Sequence, residues 1–219
     1  MQASEAEKPR IVILISGTGS NMVAIAEAVK SEEIDADIVG VISNRPTAEG
    51  LNKAQAMELH TDLIDHTLYA SRDEFDHALI RIIEDLKPDL VVLAGFMRIL
   101  TADFTRYYEG RLLNIHPSLL PKYQGLNTHQ RALDAGDDEH GVTVHFVTEE
   151  LDGGPNAIQA IVPILDIDNA QQLQQRVHEQ EHVIYPIAVK WFCDGRLTMK
   201  GTKALLDGKV LPESGVQLK

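Results

Sequence analysis

One cysteine, one tryptophan and 5% aromatic residues give this chain little material for an unusual architecture. Cys193 stands alone, so no internal disulfide can form and a reducing compartment is expected. Basic residues are scarce: 20 Lys and Arg face 33 Asp and Glu, a net charge of −13 with histidine neutral. That balance disfavours a broad nucleic-acid footprint or binding to an anionic membrane, yet it leaves room for one local basic pocket holding a phosphate. No apolar run approaches the length of a membrane span. The opening stretch MQASEAEKPR lacks the apolar core of a secretory signal. There is no H-E-x-x-H, no C-x-x-C and no G-x-S-x-G, so neither a metal site nor a serine-hydrolase elbow is expected. What remains is 219 residues, 44% hydrophobic and 24% charged, an ordinary globular composition that excludes disorder, collagen and coiled coil. The expectation is a soluble cytoplasmic protein.

The first half alternates strand and helix signals. Ile11–Ile15 and Leu90–Ala94 are continuous apolar runs, as strands buried on both faces require. Asn21–Lys30 carries apolar residues at helical spacing (Met22, Ile25, Ala26, Val29). A second strand spans Ile38–Ser43, a second helix Ala48–Leu59, and a weak third strand Leu63–Ile64. A helix over Ser71–Leu86 starts from a Ser71 cap. Repeats of this length imply right-handed crossovers and a mostly parallel sheet with helices on both faces. Leu112–Ile115, Val142–Val147 and Ala157–Val162 then read as strands without long helices between them all, so the sheet becomes mixed. A helix over about 169–190 and a hairpin over 196–211 follow. With no repeat or linker, the expectation is one α/β domain over residues 10–219, preceded by a disordered leader at 1–9.

Two segments carry chemistry. Ser16-Gly17-Thr18-Gly19-Ser20-Asn21 lies between the first strand and the first helix, where free N–H groups attract anions. It lacks the Lys-Ser/Thr of a Walker loop and the third glycine of a dinucleotide fingerprint. Both a monophosphate seat on Gly19, Ser20 and Asn21 and a plain βα turn fit those residues. Asn114 and His116 lie two apart at a strand end, and Pro117 favours extension there. A carboxamide and an imidazole projecting together suit a carbonyl reaction: one donates to a developing oxyanion, the other moves a proton. Asp152, before Gly153-Gly154, either orients His116 and favours its charged form or satisfies its own turn. Spacing does not separate the two.

Taken together, ISGTGSN, SNRPTAEGL, LAGFMRIL, LLNIHPSLLPKYQGL and GVTVHFVTEELDGGP resemble the folate-dependent formyltransferases, in their phosphoribosylglycinamide branch. The resemblance runs from about residue 10 to the C-terminal hairpin. It implies a Rossmann-like formyltransferase fold, with the phosphate held in the N-terminal half and folate and catalysis in the C-terminal half. It implies formyl transfer from 10-formyltetrahydrofolate to the amine of 5′-phosphoribosylglycinamide, without a metal. Asn114 and protonated His116 would stabilise the tetrahedral oxyanion, with Asp152 assisting proton transfer. Gly19, Ser20, Asn21 and Glu181 would hold the ribonucleotide. Met97, Arg98, Ile99, Leu100, Asn114, Val147 and Thr148 would line the folate, with Arg72 at its outer end. Both partners would be small molecules, with no nucleic acid or membrane, on a monomer or weak homodimer.

The pattern departs from the family at one loop. Gln124 and Asn127 replace the proline and histidine of the usual KYPGLHTH, which should loosen that loop. Three alternatives are weighed. A formyltetrahydrofolate hydrolase would use the same three residues with water as acceptor, but a regulatory domain normally precedes it. A methionyl-tRNA formyltransferase would add a nucleic-acid-binding domain and a less acidic surface. A non-catalytic folate- or nucleotide-binding protein would need no acid–base trio.

Overall fold

The computed structural model describes residues 7–219, and residues 1–6 of the expected leader lie outside it. Lys8 pairs with Asp35 at 2.8 Å, and the Pro9 carbonyl accepts the Asp37 N–H, so the end of that leader is attached to the domain. The chain forms one α/β domain around an eight-stranded sheet. Its strands in chain order are β1 (Arg10–Ile15), β2 (Asp37–Ser43), β3 (Thr61–Leu63), β4 (Leu90–Leu93), β5 (Leu112–His116), β6 (Glu139–Phe146), β7 (Asn156–Pro163) and, after the hairpin region, β11 (Val216–Leu218). Across the sheet the order is β11-β7-β6-β5-β4-β1-β2-β3. Pairings from β5 through β3 are parallel, β5–β6 and β6–β7 are antiparallel, and β11 adds parallel to β7. The sheet therefore becomes mixed in the second half, as the missing helices imply.

Strand alternation sends the apolar runs into two cores. Ile11, Ile13, Ile15, Leu90 and Val92 face a core shared with α1 (Ser20–Lys30) and α6 (Ala170–Cys193). Val12, Leu14, Val91 and Leu93 face the other, with α3 (Arg72–Asp85) and α4 (Ala102–Tyr107). Each helix start has its own local reason. Ser71 accepts the Glu74 N–H to begin α3, and Thr101 accepts the Phe104 N–H to begin α4. Asn169 and Gln172 form a reciprocal capping box at α6. Two further helices are α2 (Glu49–Ala56) and α5 (Thr128–Ala135). Beyond α6, β8 (Leu197–Lys200), β9 (Lys203–Leu206) and β10 (Lys209–Val210) form a three-stranded antiparallel sheet where a simple hairpin is expected. α4, α5 and β11 have no counterpart in the sequence reading.

The order β4-β1-β2 means that the chain leaves β1 toward one side and later returns on the other. Such a switch point opens a crevice at the carboxyl ends of the strands, where ligands of open α/β sheets sit. Tyr185 of α6 ties the helix to the two strands here: its buried hydroxyl reaches the carbonyls of Leu93 on β4 and Leu113 on β5, at 2.9 and 3.1 Å.

Candidate active site

A cleft of about 1160 Å³ occupies this switch point. Single small-ligand pockets usually hold roughly 300–1,000 Å³, so the space suits two substrates side by side. One end is the turn after β1. Gly19 adopts φ +70° at the helix N-cap, and a Cβ there would lie 2.7 Å from the Gly50 Cα. Only glycine fits. The Gly17 carbonyl accepts the Gly50 N–H and the Thr18 carbonyl accepts from Lys53, so α2 holds the turn from behind. No side chain caps α1 and its first turn holds no acidic residue, and this helix start lines the cleft, the kind of terminus at which anions are favoured. The side chains that would otherwise cap are engaged elsewhere. Ser20 Oγ meets His178 Nε2 at 2.7 Å, and Asn21 Nδ2 donates to Glu181 Oε2 at 2.7 Å. Burial pushes the Glu181 carboxyl upward, and the Asn21 bond only partly offsets this.

The other side is built by β5, β6 and the loop after β6. Asn114 pairs with His145 in register across the antiparallel ladder, so their side chains stand together on one face. His145 Nδ1 lies 2.8 Å from the Phe146 carbonyl and therefore carries the proton. Its bare Nε2 accepts from Asn114 Nδ2 at 3.2 Å. Burial holds His145 well below the usual imidazole range, which keeps that acceptor available. The Asn114 amide is thereby oriented, with its second N–H left for a ligand.

His116 lies on the same strand face as Asn114. Its Nδ1 is 3.5 Å from Asp152 Oδ2, and its Nε2 lies 2.9 Å from the Tyr123 carbonyl. Both ring nitrogens thus face oxygen atoms. Asp152 sits at φ +51°, which turns its carboxylate back into the cleft. It accepts the Gly125 N–H at 2.9 Å and approaches His145 to 3.9 Å. The loop bearing the two family departures is tied to this residue. Gln124 Nε2 donates to the Asp152 carbonyl, a bond no proline could make, and Arg131 donates to the Gln124 carbonyl at 2.7 Å. The loosening expected from the replaced proline is countered by these contacts.

Between the two ends runs the segment after β4. Met97 and Ile99 are more than half exposed, and Arg98, Ile99 and Leu100 make no backbone–backbone hydrogen bond among the described residues. Their donors and acceptors are free to read the edge of a flat heterocycle. Gly19, Ser20, Asn21, Met97, Arg98, Ile99, Leu100, Asn114, His116, Val147, Thr148, Asp152 and Glu181 all line this one cleft. Arg72 does not: it opens α3, exposed and outside the lining. Sequence reasoning missed Ser16, Arg45, His145 and His178, which line the cleft as well. The only signal for His145 is a polar residue inside an apolar strand run. No grouping of His, Cys, Asp and Glu suited to a metal occurs among the described residues.

Residues 9–189 match the formyl transferase family. The chain belongs to that family. It is 51% identical over 205 residues to the phosphoribosylglycinamide formyltransferase of Escherichia coli (strain K12), covering 94% of this chain and 97% of the relative. The enzyme of the same name from Haemophilus influenzae is 49% identical over 206 residues, covering 94% of this chain and 97% of the relative. The solved structure of the phosphoribosylglycinamide formyltransferase from Coxiella burnetii superposes with a TM-score of 0.93 at 48% identity, covering 97% of this chain and all of the other. Membership of the family fits the single α/β domain.

Proposed function

We propose that the protein transfers the formyl group of 10-formyltetrahydrofolate to the amine of 5′-phosphoribosylglycinamide, in purine biosynthesis. The observation that carries this is the meeting of Asn114, His116 and Asp152 in the same cleft as an uncapped, glycine-built helix start. The ribonucleotide phosphate sits on the N–H groups of Gly19, Ser20 and Asn21, with Glu181 on the glycinamide side. The folate lies along Met97–Leu100, Val147 and Thr148. The amine attacks the formyl carbon and forms a tetrahedral oxyanion. The free Asn114 N–H and His116 stabilise that oxygen once the Tyr123 carbonyl gives up the ring. Asp152 faces His116 Nδ1 and assists as the amine proton moves, through water, to the departing folate nitrogen. One well-placed donor to such an oxyanion is worth roughly 3–4 kcal/mol. No metal takes part. The acidic surface fits neither nucleic acid nor an anionic membrane, no helix among the described residues is long and apolar enough to cross a membrane, and we place the enzyme in the cytoplasm as a monomer or weak homodimer.

The hydrolase alternative uses the same three residues, so the acceptor decides. Anchoring an amine by its phosphate makes attack nearly intramolecular, worth roughly 7–11 kcal/mol. The formyl donor should be consumed rapidly only with the ribonucleotide present, and the unphosphorylated riboside should be a much poorer acceptor. Equal consumption without any amine replaces the transferase by a hydrolase.

A further inference from the structure

The cleft wall that faces the folate is held from behind by two buried side chains outside the assigned site. At its start, the Met97 N–H donates to Ser16 Oγ at 2.7 Å, and Ser16 in turn donates to the buried Asn44. At its end, the Thr101 N–H donates to Asp76 Oδ2 at 2.7 Å. Asp76 belongs to α3, is 1% exposed, and is a carboxylate in an otherwise apolar core. A buried acid carries a large desolvation cost, which here raises its pKa against the opposing pull of Thr101 and Arg98. Hydrophobic residues would fill the same volume at lower cost. The Arg98 guanidinium stacks 4.5 Å over Phe75, the neighbour of Asp76 on α3. Asp76 Oδ1 and Arg98 Nε are both buried without a hydrogen-bond partner. Thus the acid bonds the end of the wall and lies within electrostatic reach of the one cation in it, while the backbone groups of residues 98–100 make no hydrogen bond to other backbone.

We propose that Asp76 is a positioning residue for the formyl donor: with Ser16 it pins the two end amides of the 97–101 segment and so presents the intervening backbone to the heterocycle. This rests on the folate reading of the cleft. Asp76 touches no substrate and acts through Thr101 and Arg98. Loss of a hydrogen bond to a charged group releases the far end of the wall while the anion seat at Gly19–Asn21, on the other side of β1, is untouched.

The test is calorimetric binding of tetrahydrofolate to the wild-type protein and to Asp76→Ala, Asp76→Asn and Thr101→Pro, with steady-state KM values for both substrates. Thr101 has φ −73°, which admits a proline ring, so that variant deletes the N–H and leaves the carboxylate in place; it also removes the Thr101 cap of α4, and Thr101→Ala, which loses the cap alone, is its control. Asp76→Ala and Thr101→Pro should each weaken tetrahydrofolate ~10-fold or more, as expected for a charge-assisted bond. Asp76→Asn, which keeps an acceptor for Thr101, should recover most of that loss. The ribonucleotide KM should stay within about twofold, and kcat at saturating donor should change little, because no reacting group is moved. A merely structural acid would raise both KM values together. Such parallel damage, or wild-type binding by a folded Asp76→Ala, overturns the proposal. If Asp76→Ala does not fold, Thr101→Pro decides by the same criterion. If the wild-type protein binds no tetrahydrofolate at all, it is the folate reading that fails first.

Discussion

Lowering the pH should destabilise this protein in part through His140, and the structure sets the size of the effect. His140 lies at the start of β6, 1% exposed, with Nε2 3.2 Å from His129 Nδ1 and the Tyr123 ring set edge-on against it. Burial is the main cause that holds its pKa down to about 4, with His129 and His116 adding to it and Asp137 and a backbone bond opposing. A solvated imidazole in the unfolded chain titrates near ~6.5. Between those values the unfolded state binds the extra proton, so stability rises with pH across the window. The contribution is complete above about pH 6.5 and is lost as the pH falls toward 4; the gap corresponds to about 3 kcal/mol. That is a large share of the ~5–15 kcal/mol that holds a typical domain together. Urea unfolding of wild type and His140→Gln at a series of pH values isolates the contribution of His140 and its interactions with His129 and Asp137, because the remaining carboxylates and His145 titrate in both proteins and cancel in the difference. His140→Gln should be less stable at pH 7.5, having lost its contact with His129, and the gap should close by about 2.5 kcal/mol on going to pH 4.5. Stability curves that run parallel over this range would refute the argument, since they would mean that His140 is protonated in the folded state or solvated on a faster opening.

His116→Ala and Asp152→Asn should each lower turnover by ~100-fold or more with both KM values nearly unchanged, since the lost interactions belong mainly to the transition state. Steady-state kinetics alongside thermal unfolding would check this, and near-wild-type turnover would remove that residue from the mechanism. Gly19→Val should raise the ribonucleotide KM far more than the folate KM, because its Cβ meets the Gly50 backbone and the anion seat must shift. Equal damage to both substrates would speak for a plain turn.

The sequence carries those features that one strand or one turn can express. Ile11–Ile15 and Leu90–Ala94 announce a sheet covered on both faces because burial on both sides leaves no polar alternation. Asn114 and His116 share a face because strand side chains repeat every second residue. The folate and ribonucleotide residues were read from resemblance, and the cleft gathers all of them except Arg72. What stayed hidden depends on register or on distance along the chain. Nothing near His145 says that it stands opposite Asn114, since that follows from how β5 and β6 align. Asp76 and Thr101 are 25 positions apart, and an acid on an amphipathic helix reads as solvated until α3 is packed against the wall. α4 and α5 span six and eight residues, too short for an apolar period to show. β11 has three residues and exists because β7 offers it an open edge.

The change from parallel to antiparallel pairing at β5 is what lets one small sheet assemble the proposed chemistry. In a wholly parallel sheet the strand beside β5 would run the same way, and the loop leaving its carboxyl end would begin beside His116. Because β6 runs backward, His145 comes to lie beside Asn114 near the carboxyl end of β6, and the loop that follows starts from the Leu112 end of β5. That loop must then fold back over the strand to bring Asp152 to His116, and it does so through a left-handed turn at Asp152 itself and the contacts with Gln124 and Gly125. Gly154 follows in the same turn at a point where a Cβ would lie 1.8 Å from the Phe146 carbonyl, so the return path passes directly against the strand it has just left. The carboxylate is thus placed by a short, backbone-locked return, while the uncapped start of α1 is placed by the parallel half of the same sheet. On the proposed reading, the turn after β1 and the return loop after β6 meet at one switch point and set the distance between the anchored end of the substrate and its reacting amine, the condition under which an anchored amine outcompetes water.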